Sequence, residues 1–137
     1  MNLEALTLLP RTGTDPFHDA GTTLGFDLLS FWRWACSDLC SNLMRGVLAE
    51  YMVAKAVGCG AGVRCEWDAW DLVTPDGIKV EVKTSEYLQT WKQKKLSAIS
   101  FGIQPTFGWD AATNTTAEER RRQADVLCSL CLLTKSS

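Results

Sequence analysis

The chain reads as an α/β protein bordering on α+β, in which two helices lead into one central mixed sheet. Three observations predict this. Residues 26–57 hold two stretches at helical spacing, residues 63–84 hold two strand-like runs joined by a tight turn, and residues 125–133 form an apolar strand behind a basic segment. The resulting order, ααβββαβ, packs helices on a sheet. At 137 residues the chain has the length of a single domain, since domains most often hold roughly 100–150 residues.

Taken in order, residues 1–25 carry Pro10, Gly13, Pro16, Gly21 and Gly25 and are expected to wrap the surface as an irregular arm. An accessory helix within 26–41 covers about Leu28–Cys40 and is rich in aromatics (Phe31, Trp32, Trp34). Ser41 or Asn42 suits the N-cap of a second helix, Leu43–Val57, which opens the core at 42–133 and which Gly58-Cys59-Gly60 stops. Val63–Val73 then reads as a strand, Thr74-Pro75-Asp76-Gly77 as a turn and Ile78–Thr84 as the returning strand. Residues 85–95 make a polar, lysine-bearing connection to a third strand, Ser97–Ile103, closed by Pro105. Thr116-Ala117-Glu118-Glu119 has capping-box spacing ahead of a short basic helix. Asp125–Leu133 is a strand of the buried type.

Composition excludes several classes. The chain is 46% hydrophobic and 22% charged, which is ordinary for a globule and unlike disordered, collagenous or coiled-coil sequences. No window approaches the ~20 apolar residues that a bilayer span needs. Glu4 precedes Leu6–Pro10 and no basic start does, which is not the pattern of a secretory signal. A cytoplasmic location with no membrane partner is therefore expected. Six cysteines would suggest a disulfide scaffold only in a secreted chain. Cys36 and Cys40 share a helix face, Cys128 and Cys131 point to opposite faces of a strand, and Cys59 and Cys65 have no close histidine. His18 is the sole histidine, so reduced thiols are expected and zinc is not. A net charge of −2 argues against a protein that binds polyanions by charge excess. Yet the charge is uneven: residues 1–50 carry three basic and six acidic side chains, the remainder eleven and ten. Cations gather in two knots, Lys92, Lys94 and Lys95, then Arg120, Arg121 and Arg122, each explained equally well by a solvated face.

Between these knots lies the segment that looks chemical. Along Ile78–Thr84 the apolar side chains 78, 80 and 82 face one way, and Lys79, Glu81 and Lys83 face the other. Alternation alone is what a half-buried strand shows. The turn adds information, because Thr-Pro-Asp-Gly suits a type I turn closed by a left-handed Gly77. That register pairs Thr74 with Ile78, and hence Asp71 with Glu81. Two opposed carboxylates repel unless a divalent metal or a lysine neutralises them. A two-residue turn would instead set Asp68 beside Lys83, which makes Asp68 the runner-up acid. A third carboxylate comes from the second helix: at about 100° per residue, Glu50 falls within the stripe of Leu43, Val47, Ala54 and Val57. A glutamate there needs a metal or a partner such as Lys55, Lys83 or an arginine, since burying it alone is costly.

Glu50 on a helix, then Asp71, Glu81 and Lys83 spaced D-x9-E-x-K on a hairpin, resembles the PD-(D/E)XK nuclease superfamily, the restriction-endonuclease-like fold. The resemblance covers about residues 42–133, where the order αβββαβ matches the family core, with one extra N-terminal helix. The tripeptide Glu81-Val82-Lys83 gains weight from the hairpin and from Arg45-Gly-Val-Leu-Ala-Glu50. No proline precedes the acid, so that half of the motif rests on Asp71. The stretch Thr84–Trp91 is similar to the segment after the motif lysine in some uncharacterised members of bacterial or phage type.

This resemblance implies a metal-dependent endonuclease that hydrolyses phosphodiester bonds, most readily in DNA. Asp71 and Glu81 would hold Mg2+, or Mn2+ in its place, with the Val82 carbonyl completing the protein ligands. Glu50 would serve as an outer or second-metal ligand, and Lys83 would orient water and offset charge on the phosphorane. Gln89 would reach the same site. The two basic knots would track phosphates, and homodimers, common in the family, would allow two strands to be cut. The competing expectation is a catalytically inactive nucleic-acid-binding or assembly protein of the same fold. Trp67, Trp70, Trp91 and Trp109 are candidate stacking platforms for bases, although core packing is the commoner role of such residues. A covalent nucleophile is not expected, since no Ser or Cys has a base nearby in sequence.

Overall fold

The computed structural model describes residues 6–110 and 112–133; Glu4 and the rest of residues 1–5, the start of the expected arm, lie outside them. The chain divides into two compact units: one runs up to Asp38 and adds Gly62–Arg64, the other takes Leu39–Ala61 and everything from Cys65.

In the first unit the expected irregular arm contains a β-hairpin. Strand β1 (Pro16–Asp19) pairs antiparallel with β2 (Thr22–Asp27), the pair Asp19↔Thr22 closing on a two-residue turn. Both turn residues, Ala20 and Gly21, have positive φ (45° and 84°), as a type I′ turn requires. Alanine is a poor signal for that conformation, which is why the hairpin is hard to read from sequence. Asp27 ends β2 and caps helix α1 (Leu28–Cys36): its Oδ1 accepts from the Ser30 N–H at 2.9 Å, and the Ser30 Oγ accepts from the Asp27 N–H at 3.2 Å. The helix stops at Cys36, short of the expected Cys40, and Phe17, Phe26 and Phe31 stack around the hairpin base.

The second unit opens with helix α2 (Asn42–Ala56), capped by Ser41, whose Oγ accepts from the Met44 N–H at 3.3 Å. Its buried face is Arg45, Ala49, Glu50, Val53 and Ala54. Of the expected stripe Glu50 and Ala54 are buried, whereas Leu43, 69% exposed, and Val57, 38% exposed, are not. Fully buried Ala49, together with Val53, lets the helix approach Val80 and Val82, with Leu72, Cys128 and Leu130 around them.

That face rests on a mixed three-stranded sheet of order β3-β4-β7. Strand β3 is short, Leu72–Val73, and pairs antiparallel with β4 (Lys79–Glu86), which runs parallel to β7 (Val126–Leu132). Asp125 fastens the two parallel strands at their start, its N–H donating to the Lys79 carbonyl at 2.8 Å while its Oδ2 accepts from the Lys79 N–H at 2.9 Å.

Three expectations are corrected in this unit. The strand anticipated at Val63–Val73 shrinks to its last two residues, because the chain leaves the ladder at Asp71. Ser97–Ile103 forms no strand. The basic helix expected from Thr116 is instead half of a second hairpin, β5 (Thr106–Asp110) with β6 (Thr115–Arg121), turning at Asn114 with φ 53°. Cross-strand pairs explain the outcome: Trp109 faces Thr116, and Phe107 faces Arg120, whose guanidinium lies 4.9 Å from the ring centroid. A helix this short has little stability to set against such pairs. The connection between parallel β4 and β7, which is usually helical, is therefore a hairpin in its own two-stranded sheet. The second unit reads α2-β3-β4-β5-β6-β7, and the class is mixed α and β, with two helices and three separate sheets among the described residues. Among the described residues no helix is long and apolar enough to cross a membrane.

Candidate active site

The site grows out of the hairpin register. The Gly77 N–H donates to the Thr74 carbonyl at 2.9 Å, Gly77 takes φ 82°, and the Thr74 N–H donates to the Ile78 carbonyl at 2.9 Å. With Leu72 opposite Val80, Asp71 falls one step further, level with Glu81. This is the register of the three-to-four-residue turn, and not the slipped one that would bring Asp68 beside Lys83.

At Asp71 the chain bends away from β4 but keeps hold of it. Its N–H donates to the Val80 carbonyl at 3.0 Å, and its Oδ2 accepts from the Val82 N–H at 2.6 Å. The carboxylate thus occupies a ladder position that a main-chain carbonyl would otherwise fill. Burial pushes the Asp71 carboxyl above its ordinary value, against the pull of the Val82 N–H; the charges of Glu50 and Glu81 raise it further while Lys83 draws it down. One carboxyl therefore feels three other members of the sequence motif: Glu50 from α2, and Glu81 and Lys83 from β4. Glu50 is 8% exposed and belongs to the helix face that packs on the sheet.

Glu81 and Lys83 sit two residues apart on the open face of β4, and the Lys83 Nζ lies 2.6 Å from the Glu81 Oε1. The other face of the strand carries Val80, Val82 and Glu86, all buried. Among the described residues no group of three or more His, Cys, Asp and Glu side chains is arranged to hold one metal ion. All six cysteines are free thiols.

The remaining candidates separate. Arg121 and Arg122 line a cleft together with Glu81, Gln123 and residues 124–127. Arg120 lies on the Phe107 ring. Lys92, Lys94 and Lys95 are exposed on the connection after β4, as is Trp91 at 64%. Gln89 turns to a different cluster, where its Oε1 accepts from Arg45 Nη1 at 3.4 Å and its Nε2 donates to the Glu86 carbonyl and the Ser97 Oγ, both at 3.3 Å. Asp68 lines a second, larger cavity with Trp67, Trp70, Trp109 and Lys79.

Two features escaped sequence reasoning. The Trp70 ring centroid lies 3.9 Å from Lys79 Nζ, a contact no local pattern gives, although strand alternation does set Lys79 on the open face of β4 with Glu81. Arg45 pairs with Glu86 at 3.6 Å in the interior, a contact between residues 41 positions apart that no local pattern announces.

The comparison with known proteins completes the site. No curated protein and no solved structure matches the chain significantly. The family model of bacteriophage T4 endonuclease IV matches residues 32–136, which spans α2, the Asp71–Lys83 hairpin and β7. On that match, extending over most of its length, the chain belongs to the bacteriophage T4 endonuclease IV family.

Proposed function

We propose that the chain is a Mg2+-dependent endonuclease that hydrolyses phosphodiester bonds in DNA, on the plan of the PD-(D/E)XK nucleases. The observation that carries this reading is the Asp71 carboxylate, drawn onto the Val82 N–H beside Glu81 and charged against Glu50. Membership in an endonuclease family supports it independently. The donors fit the ion: Asp71, Glu81 and the Val82 carbonyl are hard oxygen ligands, the kind Mg2+ takes while keeping several waters. The described residues form no group of three or more such ligands, so Asp71 and Glu81 are taken as the ligands and Glu50 is assigned to the surroundings. A cation there would offset the burial, and then the repulsion from Glu50 and Glu81, that raise Asp71, and Mn2+ would serve in its place. When bound, the ion supplies Lewis-acid stabilisation and a more acidic water.

The chain's own residues do the rest. Lys83 holds its ammonium on the open face of β4, where it orients water and offsets charge developing on the phosphate. Glu50 fixes the negative field behind Asp71. Arg121 and Arg122, at the rim of the Glu81 cleft, and the exposed Arg120, Lys92, Lys94 and Lys95 bind backbone phosphates in a salt-dependent, sequence-blind way.

The direct Glu81–Lys83 pair favours a second reading, a nucleic-acid-binding or assembly protein whose motif lysine neutralises its motif glutamate for structural reasons. Plasmid nicking separates the two. The wild type is expected to nick supercoiled DNA with Mg2+ or Mn2+ and to stop in EDTA, with Glu81→Ala and Lys83→Ala each about 100- to 1,000-fold slower. Cleavage that survives both substitutions, or is absent with either metal, assigns the chain to the second reading.

A further inference from the structure

Beside the Glu81 cleft lies a cavity of about 530 Å3, walled by Trp67, Trp70 and Trp109 and bearing Lys79, Arg121 and Gln123. Its volume falls within the roughly 300–1,000 Å3 of small-ligand sites. We propose that this cavity is a nucleobase-binding subsite, which takes one unstacked base of the DNA strand whose phosphate lies at Glu81. The inference rests on the nuclease reading for the identity of the strand, and on four observations for the base.

The first is aromatic surface left open. Trp67 and Trp109 meet edge to face at 5.9 Å between centroids, yet Trp67 remains 66% exposed and Trp109 38% exposed. Tryptophans packed into a core would be far less exposed. Second, the cavity carries two cations, Lys79 and Arg121, beside the carboxylates of Asp68 and Asp110, the latter accepting from the Ala112 and Thr113 N–H groups at 2.8 and 3.0 Å. Aromatic faces flanked by cations are the pairing that single strands use, stacking for the bases and charge for the phosphates. Third, the cavity adjoins the cleft that Glu81 lines, with Arg121 and Gln123 lining both. Lys79 and Glu81 are two residues apart on one face of β4, about 7 Å, so base and phosphate subsites are neighbours.

The fourth observation is that the walls are built. Lys79 Nζ sits 3.9 Å from the Trp70 centroid, which holds that ring under the cation. A β-bulge between Phe107 and Trp109 shifts the register at Gly108, and a Cβ there would stand 2.8 Å from the Gln123 Oε1. Gln123 in turn donates to the Thr106 and Arg121 carbonyls at 3.0 and 3.3 Å. Glycine at 108 thus lets one side chain brace the hairpin that carries Trp109.

The test uses binding in EDTA, where no strand is cut. A short fluorescent single-stranded oligonucleotide and the same backbone bearing abasic residues are titrated against the full chain. The wild type is expected to bind the base-bearing strand about 5- to 100-fold more tightly, the range that stacking on one aromatic residue produces. Trp67→Ala combined with Trp109→Ala abolishes that preference and lowers affinity to the abasic level, whereas Trp67→Phe retains most of it. Because Trp109 is a paired residue of β5, circular dichroism checks the double variant, and Trp67→Ala alone, at a largely exposed position that leaves the fold intact, is expected to lose part of the preference by itself. Equal affinity of the wild type for both strands, or a preference that survives the double substitution, overturns the proposal. Metal-dependent nicking separates this failure from the other: nicking without base preference removes the subsite alone, and base preference without nicking removes the nuclease reading alone.

Discussion

Strand β4 carries an ion pair on each face, and the two differ in how much water reaches them. On the core side Glu86, 2% exposed, meets Arg45 of α2 at 3.6 Å, with the arginine side chain 9% exposed. On the open side Glu81 and Lys83 approach to 2.6 Å with 36% of each side chain exposed. The shorter pair is the weaker one for stability, because half-exposed charges are solvated almost as well apart as together. On the proposed function its value lies in being adjustable, since a phosphate would exchange with Glu81 for the lysine at little cost. The buried pair has no such freedom. Neighbours add to it, Asn42 Oδ1 accepting from Arg45 Nη2 at 2.9 Å and Gln89 Oε1 from Arg45 Nη1. One strand thus divides its charges by parity: Glu86, at an even position, is buried, and Lys79, Glu81 and Lys83, at odd positions, lie on the open face.

The largest effect that could break this division is on the buried side. Glu86→Ala leaves the Arg45 guanidinium in the interior without its carboxylate, which costs about 3–5 kcal/mol. Against a total stability of about 5–15 kcal/mol, urea unfolding should register a large fall in midpoint. Replacing both residues by leucine is expected to recover most of the loss, because no lone charge then remains. An unchanged midpoint for Glu86→Ala would mean that the pair is not a structural element.

On the open side the same measurement should show little. Glu81→Ala and Lys83→Ala are each expected to change stability by no more than about 1 kcal/mol, the usual worth of a pair this exposed. Their effect belongs to nicking. A stability loss in Lys83→Ala equal to that of Glu86→Ala would erase the contrast and favour the structural reading of the motif lysine.

How far the sequence disclosed these features depends on the range of the interactions behind them. Helix α2 was legible because its signals are local: a Ser41 cap at one end and Gly58, with φ 76°, just beyond the other. The Asp71–Glu81 register was legible for the same reason, since the Thr-Pro-Asp-Gly turn sets it within four residues. The parity of Lys79, Glu81 and Lys83 followed from strand alternation. Elsewhere local rules misled. Thr116-Ala-Glu-Glu119 satisfies the spacing of a capping box, but Trp109 and Phe107 supply cross-strand partners that a helix would forfeit. The Ala20–Gly21 turn hid the first hairpin because alanine seldom takes positive φ. The Arg45–Glu86 pair and the tryptophan-lined cavity arise from tertiary proximity, so no window of sequence could announce them.

Asp71 lies at the seam between the two faces, and its titration offers the smallest and sharpest test. Its folded-state carboxyl is raised from the ordinary 3.8, first by burial and then by Glu50 and Glu81. The folded chain therefore binds this proton more tightly than the unfolded chain does. Stability contributed by the protonated form is present below 3.8 and is lost as pH rises through the window between that value and the raised one. At neutral pH the ionised group is thus a net burden on the fold. Asn at this position keeps an oxygen to accept from the Val82 N–H but carries no charge. Asp71→Asn is accordingly expected to melt at a higher temperature than the wild type at neutral pH, with the gap closing as pH falls through the carboxylate range. Added Mg2+ should narrow the gap from the other side, by raising the melting temperature of the wild type and leaving the variant where it was. A gap that ignores both pH and Mg2+ would mean that Asp71 serves the hairpin alone, and the line between structural and chemical carboxylates would then have to be drawn between Asp71 and Glu81.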